Sequence, residues 1–496
     1  MNYSLIVYFI GRLMRIEAIL LSLPLVVSML FKENAGVFAF AVVMAFAFIM
    51  GQALMLIFKP EDKTIYAREG FVMVALSWLV FSSIGALPFV ISGDIPHYVD
   101  AFFETVSGFT TTGASILEDV EAMSKGMLFW RSFTHWVGGM GILVFVVALL
   151  PGVSDRSIHI LKAEMPGPIM GKLVPKLKDT AKLLYLIYII LTVLEIILLL
   201  CGGMSVFDSL VHSFGTAGTG GFGIKADSLA SYSPYSQWVI TLFMLVFGLN
   251  FNVYYFVLFR KFKEAGKVNE AWVFLSIVLI STITITLNIM PIGEYSGFGE
   301  ALRHGAFQVA TVVSTTGYAT ANFDAWPALS KGILLLLMFM GSCANSTAGG
   351  LKVSRVIILF KSMRSEVRKL LHPRSVTSER YEGKPLDKST ISSVKTYFAF
   401  YIMIIFIGFL VVSCDTWTAG SGFNSFETNF SAVVACFNNI GPGFAGVGPW
   451  ENFAGYNYFT KIILSFMMLL GRLEIFPIIL FFAPATWKHS KNKKMK

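Results

Sequence analysis

The chain has 496 residues, 55% of them hydrophobic and only 14% charged, with a formal net charge of +9 and a mean hydropathy of +0.69. Soluble domains carry about 25% charged residues, so the composition argues against a soluble globular fold and for a polytopic membrane protein. In such a chain the positive balance reflects cytoplasmic loops before it suggests nucleic acid.

About twenty apolar residues cross the hydrocarbon core. Taken in chain order, spans are expected near 5–31, 36–58, 71–92, 127–151, 181–204, 236–260, 271–291, 330–360, 393–414 and 458–482. The first run is long enough to cross, has no small-residue cleavage site and is followed at once by a second, so it reads as a span and not a signal peptide. Four shorter stretches, 98–109, 205–216, 299–313 and 425–437, lie between later pairs of spans. Each is too short to cross, and each ends at a glycine-bearing segment: Thr110–Ala114, Gly218–Phe222, Ser314–Tyr318 and Asn438–Pro442. A short helix that enters and turns back, followed by an extended strand, suits all four. Non-helical backbone is tolerated at membrane depth only where it is buried in protein or lines water.

The repeat unit is therefore span, pore helix, filter, span, giving an all-α polytopic fold with four pseudo-repeats around one pore. Two leading spans occupy 1–70, and the units occupy 71–152, 180–262, 270–365 and 393–484. A basic loop, 366–392, and a basic tail, 485–496, complete the chain. Lysines and arginines concentrate in 152–182, 260–267, 361–395 and the tail, which places those segments and both termini in the cytoplasm. The filter-side segments are acidic, with Asp100, Glu104, Glu118, Asp208, Glu300, Asp324, Glu427 and Glu451 among them. An acidic mouth raises local cation concentration.

A narrow carbonyl-lined pore needs backbone dihedrals that L-residues resist and glycine adopts freely. The expected inward carbonyls are those of Thr111, Thr112 and Gly113; Gly218, Thr219 and Gly220; Thr315, Thr316 and Gly317; and Asn439, Ile440 and Gly441. Such a ring can replace the hydration shell of K⁺. The second segment also contains Gly218-x-Gly220-x-x-Gly223, a dinucleotide fingerprint out of context, since neither a preceding β-strand nor a βαβ unit surrounds it. The four cysteines, Cys201, Cys343, Cys414 and Cys436, show no metal-ligand or disulfide spacing. The signatures HExxH, GxSxG and Walker A are absent, so no enzymatic activity is expected.

Together with the filter segments, the runs RSFTHWVGGMG from Arg131, GSCANSTAGGLK from Gly341 and GRLE from Gly471 resemble the Trk/Ktr superfamily of bacterial potassium transporters, closest to its TrkH branch. The two extra leading spans point the same way. The resemblance covers essentially the whole chain. It implies K⁺ as the transported ion with no organic cofactor, the bacterial inner membrane, a homodimer with one pore per protomer, and a cytosolic TrkA-like nucleotide-binding regulatory subunit. It also implies that glycine at position 113 favours K⁺, since serine there goes with Na⁺ preference in related plant transporters.

The run 341–350 sets small polar residues inside an apolar span and weakens the helix. It is expected to form an intramembrane gate loop built from Gly341, Ser342, Asn345, Ser346, Thr347, Gly349 and Gly350; a small-residue packing face is the alternative. Arg472 is an intramembrane charge and so a functional candidate. It is expected to be an electrostatic barrier beneath the filter, with a buried ion pair as the alternative. Arg131 and His135 are one turn apart and are expected to support a pore helix or anchor the interface, not to relay protons. Gated permeation is favoured over a K⁺/H⁺ or K⁺/Na⁺ symporter of the same fold. The broken span is expected in the third unit alone, and the intramembrane arginine in the fourth alone.

Overall fold

The computed structural model describes residues 1–61, 67–141, 177–373, 379–415 and 425–487. The far end of the fourth expected span, much of the 152–182 basic segment and the basic tail lie outside the described residues. Among the described residues six helices are long and apolar enough to cross a membrane: Tyr3–Leu30, Asn34–Ile57, Arg68–Ser92, Lys182–Cys201, Asn269–Ile292 and Lys388–Ser413. A seventh span, Pro234–Gly248 with Phe251–Leu258, is bent by 93°.

The two leading spans cross where both are reduced to glycine. A Cβ on Gly11 would lie 2.7 Å from the Gly51 carbonyl, and one on Gly51 would lie 2.6 Å from the Gly11 carbonyl. Small residues let backbones approach in lipid, where apolar burial alone does not hold helices together. Their connection is tied to the rest of the fold by Glu33, whose carboxylate accepts the Lys125 and Gly126 backbone N–H groups at 2.6 and 2.9 Å. Those N–H groups open the helix Lys125–Gly139 and have no partner within it.

The four expected pore helices are Tyr98–Phe109, Val206–Gly218, Phe298–Val313 and Phe426–Phe437. They have 12, 13, 16 and 12 residues, short of the roughly twenty that span a bilayer. Each carries an acidic residue in its first turn, Asp100, Asp208, Glu300 or Glu427, where the helix dipole favours it. Ser205 and Ser425 cap two of them, accepting from the Asp208 and Thr428 N–H groups. Their second halves are almost wholly buried, so they form the core of the molecule.

The helices after the second, third and fourth half-helices break, and the helix after the first ends early. Lys125–Gly139 stops at Met140, followed by Gly141 at φ +82°. The second unit bends between Gly248 and Phe251, and the third parts into Ala328–Met340 and Val353–Leu371. The fourth parts into Tyr458–Arg472 and Phe476–Phe482, with Glu474 and Ile475 at φ +56° and +66°. This corrects the expectation that the third unit alone is broken. The breaks in the second and fourth units consume only two or three residues, so apolar sequence runs straight through them.

The basic segment 366–392 is also only partly a loop. The helix Val353–Leu371 continues into it, and the helix Lys388–Ser413 begins before it ends. Between them Arg380–Tyr381 pairs antiparallel with Lys384–Pro385, a hairpin that is the one departure from all-α structure among the described residues.

Candidate ion-conduction site

After each half-helix the backbone follows one course. Thr111, Thr219, Thr315 and Asn439 are left-handed, with φ of +55° or +56°, although none is glycine. Two residues on, Gly113, Gly221, Gly317 and Gly441 are left-handed as well, with φ from +78° to +95°. The second segment is therefore shifted one residue from the expected register. Its central glycine is Gly221 and not Gly220, and Gly218 is the last residue of its half-helix.

The segments close on one another in a cycle. A Cβ on Gly113 would strike the Gly220 carbonyl, and one on Gly221 the Thr316 carbonyl. A Cβ on Gly317 would strike the Ile440 carbonyl, and one on Gly441 would approach the Thr112 carbonyl to 2.8 Å. Each glycine abuts the residue before the next unit's glycine, and four such steps return to the start. No side chain longer than hydrogen fits at any of the four positions without displacing a carbonyl. The four half-helices deliver their C-terminal ends to this ring, and the partial negative charge of helix C-termini favours a cation there.

The ring is held from behind. His135 is buried, with Nδ1 at 2.7 Å from the Gly108 carbonyl and Nε2 at 3.3 Å from the Phe222 backbone N–H. These partners call for the neutral ring protonated on Nδ1, donating to Gly108 and accepting from Phe222. Histidine thus joins the first half-helix to the second segment. Arg131 is buried against Glu104 at 2.7 Å, sits 4.1 Å over the Phe222 ring and donates to the Gly223 carbonyl. Glu104 also accepts from the Ser115 hydroxyl and the Ile116 N–H, both at 3.0 Å, just past the first segment. Arg131 and His135 are both buried and tie the first half-helix to the second segment. Asn439 reaches the adjoining first segment, donating to the Thr112 hydroxyl at 2.9 Å, and also donates to the Met468 carbonyl at 3.0 Å.

Below the ring, residues 341–352 form a buried loop between the two helices of the third unit. Gly341 and Gly350, at φ +65° and +77°, close its neck, and a Cβ on either would come within 3.0 Å of the other's Cα. The Gly349 N–H donates to the Thr315 hydroxyl at 2.7 Å, so the loop touches the underside of the ring. Arg472 donates to the carbonyls of Thr347, Gly138 and Gly139 at 2.7, 2.5 and 2.7 Å. It fastens the loop of the third unit to the C-terminal end of the helix Lys125–Gly139 in the first. Glu474 pairs instead with Arg355 at 2.5 Å.

Asn345, Ser346, Gly349, Gly350 and Arg472 line one cavity with Trp78, Gly139 and Gly141. Of the residues expected in the gate, Gly341, Ser342 and Thr347 stand behind its wall. Lys352 also lines this cavity, is 2% exposed and donates to the Ala348 carbonyl. Sequence reasoning passed over it, although a lysine ending a small-residue run inside an apolar span is the same kind of signal as Arg472. A second cavity above the ring is lined by Gly113, Gly221, Gly317 and Gly441, with Glu118 and Glu451 exposed at its rim.

Several outer carboxylates are paired: Asp100 with Lys461 at 2.6 Å, while Asp324 and Glu427 share the single ammonium of Lys331, each at 2.8 Å. The mouth is therefore less negative than the count of acidic residues suggests.

Residues 36–489 match the TrkH family of cation transport proteins. This chain belongs to the TrkH family. It is 35% identical to the Trk system potassium uptake protein TrkH of Salmonella typhimurium, over 98% of this chain and all of that protein. It is 33% identical to the Trk system potassium uptake protein TrkG of Escherichia coli, over 94% of each chain. Its structure is similar to the crystal structure of the potassium transporter TrkH from Vibrio parahaemolyticus, with a TM-score of 0.87 at 30% identity, covering 98% of this chain and 100% of that one. For a TrkH-family chain, a mostly helical multi-pass membrane architecture is thus shown by sequence and by shape.

Proposed function

We propose that this chain mediates K⁺ uptake across the bacterial inner membrane through the ring, with both termini cytoplasmic. The observation that carries the reading is the closed cycle of contacts between the four glycines and the four preceding carbonyls. A dehydrated cation inside such a ring meets carbonyl oxygens from four directions. The filter residues in this reading are Thr111, Thr112 and Gly113; Thr219, Gly220 and Gly221; Thr315, Thr316 and Gly317; and Asn439, Ile440 and Gly441. The loop 341–352 and Arg472 form the gate: the loop obstructs the exit, and the guanidinium repels an arriving cation. A cytosolic TrkA-like nucleotide-binding subunit controls it, and the assembly is a homodimer.

The buried carboxylates Glu17 and Glu195 line neither cavity, and the titratable groups that do line the lower one are engaged, Glu474 in its pair with Arg355 and Lys352 with the Ala348 carbonyl. This favours gated permeation over symport. The test is growth of a K⁺-uptake-deficient bacterium at low K⁺ with this chain expressed, alone and with a cytosolic nucleotide-binding subunit. Growth in either case is expected, and failure in both sinks the proposal. ⁸⁶Rb⁺ flux under a reversed gradient then separates the mechanisms, because strict dependence on H⁺ or Na⁺ would replace the gated pore with a symporter.

A further inference from the structure

Lys352 stands where local rules disfavour a lysine. It precedes the helix Val353–Leu371, with φ of +76°, and its side chain makes no cap. That position favours Ser, Thr, Asn or Asp, and the positive end of the helix dipole repels a cation. The other left-handed residues of the loop are Gly341, Asn345 and Gly350, types that enter that region at less cost. Lys352 is also buried within the membrane-spanning part of the fold. Buried charges are normally paired, yet among the described residues the one hydrogen bond of its ammonium is to a carbonyl, that of Ala348. The carboxylate that shares its cavity, Glu474, is taken by Arg355 at 2.5 Å. Backbone strain and an uncompensated intramembrane charge at one residue mark a functional position.

The contact with Ala348 belongs to a series at the tip of the loop. The Thr347 carbonyl accepts from Arg472, the Ala348 carbonyl accepts from Lys352, and the Gly349 N–H donates to the Thr315 hydroxyl under the ring. Two cations therefore line the cavity beneath the ring, and they differ in what carries them. Arg472 ends a helix of the fourth unit and also holds the Gly138 and Gly139 carbonyls. Lys352 closes the loop on itself, four residues after its acceptor. If the loop withdraws, Arg472 stays with its helix and Lys352 travels with the loop. An ammonium is close to K⁺ in size and takes carbonyl oxygens as K⁺ does.

We propose that Lys352 is a tethered stand-in for the transported ion. With the loop in place, its ammonium occupies the cavity that K⁺ must enter on leaving the ring, and it moves out with the loop. The charge of the side chain, and not its bulk, keeps the cavity closed to K⁺. The stand-in rests on reading the loop as the gate, and Arg472→Ala is the comparison that separates the two.

The test is ⁸⁶Rb⁺ flux into lipid vesicles carrying the full chain without a partner. Lys352→Met keeps the length and removes the charge. It is expected to raise flux roughly tenfold, because one of two like charges leaves a site of low dielectric. Lys352→Arg keeps the charge and should gain far less. Lys352→Cys is made with the exposed Cys201 and Cys414 replaced by serine. On it, 2-aminoethyl methanethiosulfonate rebuilds an ammonium and should return flux toward that of the parent, whereas neutral ethyl methanethiosulfonate should not, labelling being confirmed by mass. The same background with Lys352 intact reports any effect of the reagents through Cys343 and Cys436. Reversal by the ammonium reagent occurs only in a folded protein, so this arm decides if Lys352→Met fails to fold. Parental flux in Lys352→Met beside raised flux in Arg472→Ala overturns the stand-in and leaves the gate. Equal gains in Lys352→Met and Lys352→Arg, or equal effects of the two reagents, also overturn it, since bulk and not charge would then matter. Parental flux in both Arg472→Ala and Lys352→Met sinks the gate and the stand-in with it.

Discussion

Gly221 shows how much one residue of register decides. A Cβ there would run into the Thr316 carbonyl, and its φ of +78° adds about 1–2 kcal/mol of strain for any other residue. Gly221→Ser and Gly113→Ser are therefore expected to displace carbonyls of the ring and to lower the ratio of ⁸⁶Rb⁺ to ²²Na⁺ flux. Gly218 is helical, and its Cβ would meet the His135 carbonyl outside the ring. Gly218→Ala should lower thermal stability and leave the flux ratio intact. The opposite pattern would restore the register read from sequence. Arg472 makes its own case. Its three carbonyl contacts clamp the loop, and bonds to charged donors contribute about 1.5–3 kcal/mol each. Arg472→Ala is expected to raise ⁸⁶Rb⁺ flux in the absence of a partner by about tenfold or more. Arg472→Lys should fall between, since a single ammonium cannot span carbonyls on two units. Equal flux in all three proteins would remove Arg472 from the gate.

The half-helices depend on what is buried behind them. Arg131 and Glu104 are 2% and 1% exposed, and they join the first half-helix to the helix after it. Breaking a buried pair strands a charge at a cost of about 3–5 kcal/mol, whereas replacing both partners by apolar groups is often near neutral. Glu104→Gln should thus lower the melting temperature more than the double variant Glu104→Leu with Arg131→Met. A double variant as unstable as the sum of its parts would mean the two side chains act independently. The pair also shows what was legible and what was not. An arginine at the outer end of an apolar span stands out in sequence, but its partner, 27 positions earlier on another helix, does not. The half-helices were legible almost to their ends, because a dozen moderately apolar residues closed by a glycine segment leave a clear pattern. The bend at 249–250 and the break at 473–475 were not, because two or three residues leave no gap in hydropathy. The third break was visible only because twelve small and polar residues separate its helices.

The whole molecule is proposed to work as a pair of pores under a cytosolic subunit. The chain mass is 54.8 kDa, so light scattering of the detergent-purified protein, corrected for bound detergent, should give twice that. A single-chain mass would remove the homodimer. Docking of an acidic cytosolic subunit on the basic residues of the helix Val353–Leu371 should weaken steeply with salt, since the Debye length falls from about 10 Å at 0.1 M to about 3 Å at 1 M. Salt-insensitive binding would point to an apolar contact instead.

Hydropathy and basic-residue bias were enough, without coordinates, to indicate a multi-pass helical protein with four glycine-ended half-helices. Those properties are local, since a span must be apolar for its full length and a left-handed turn must be glycine or pay in strain. The tertiary structure alone decided which carbonyl each glycine faces, that Gly221 and not Gly220 joins the ring, and that Arg472 bonds the first and third units. Each of these is a meeting of residues tens to hundreds of positions apart. Such meetings are set by how whole helices pack, and no local stretch of sequence encodes them.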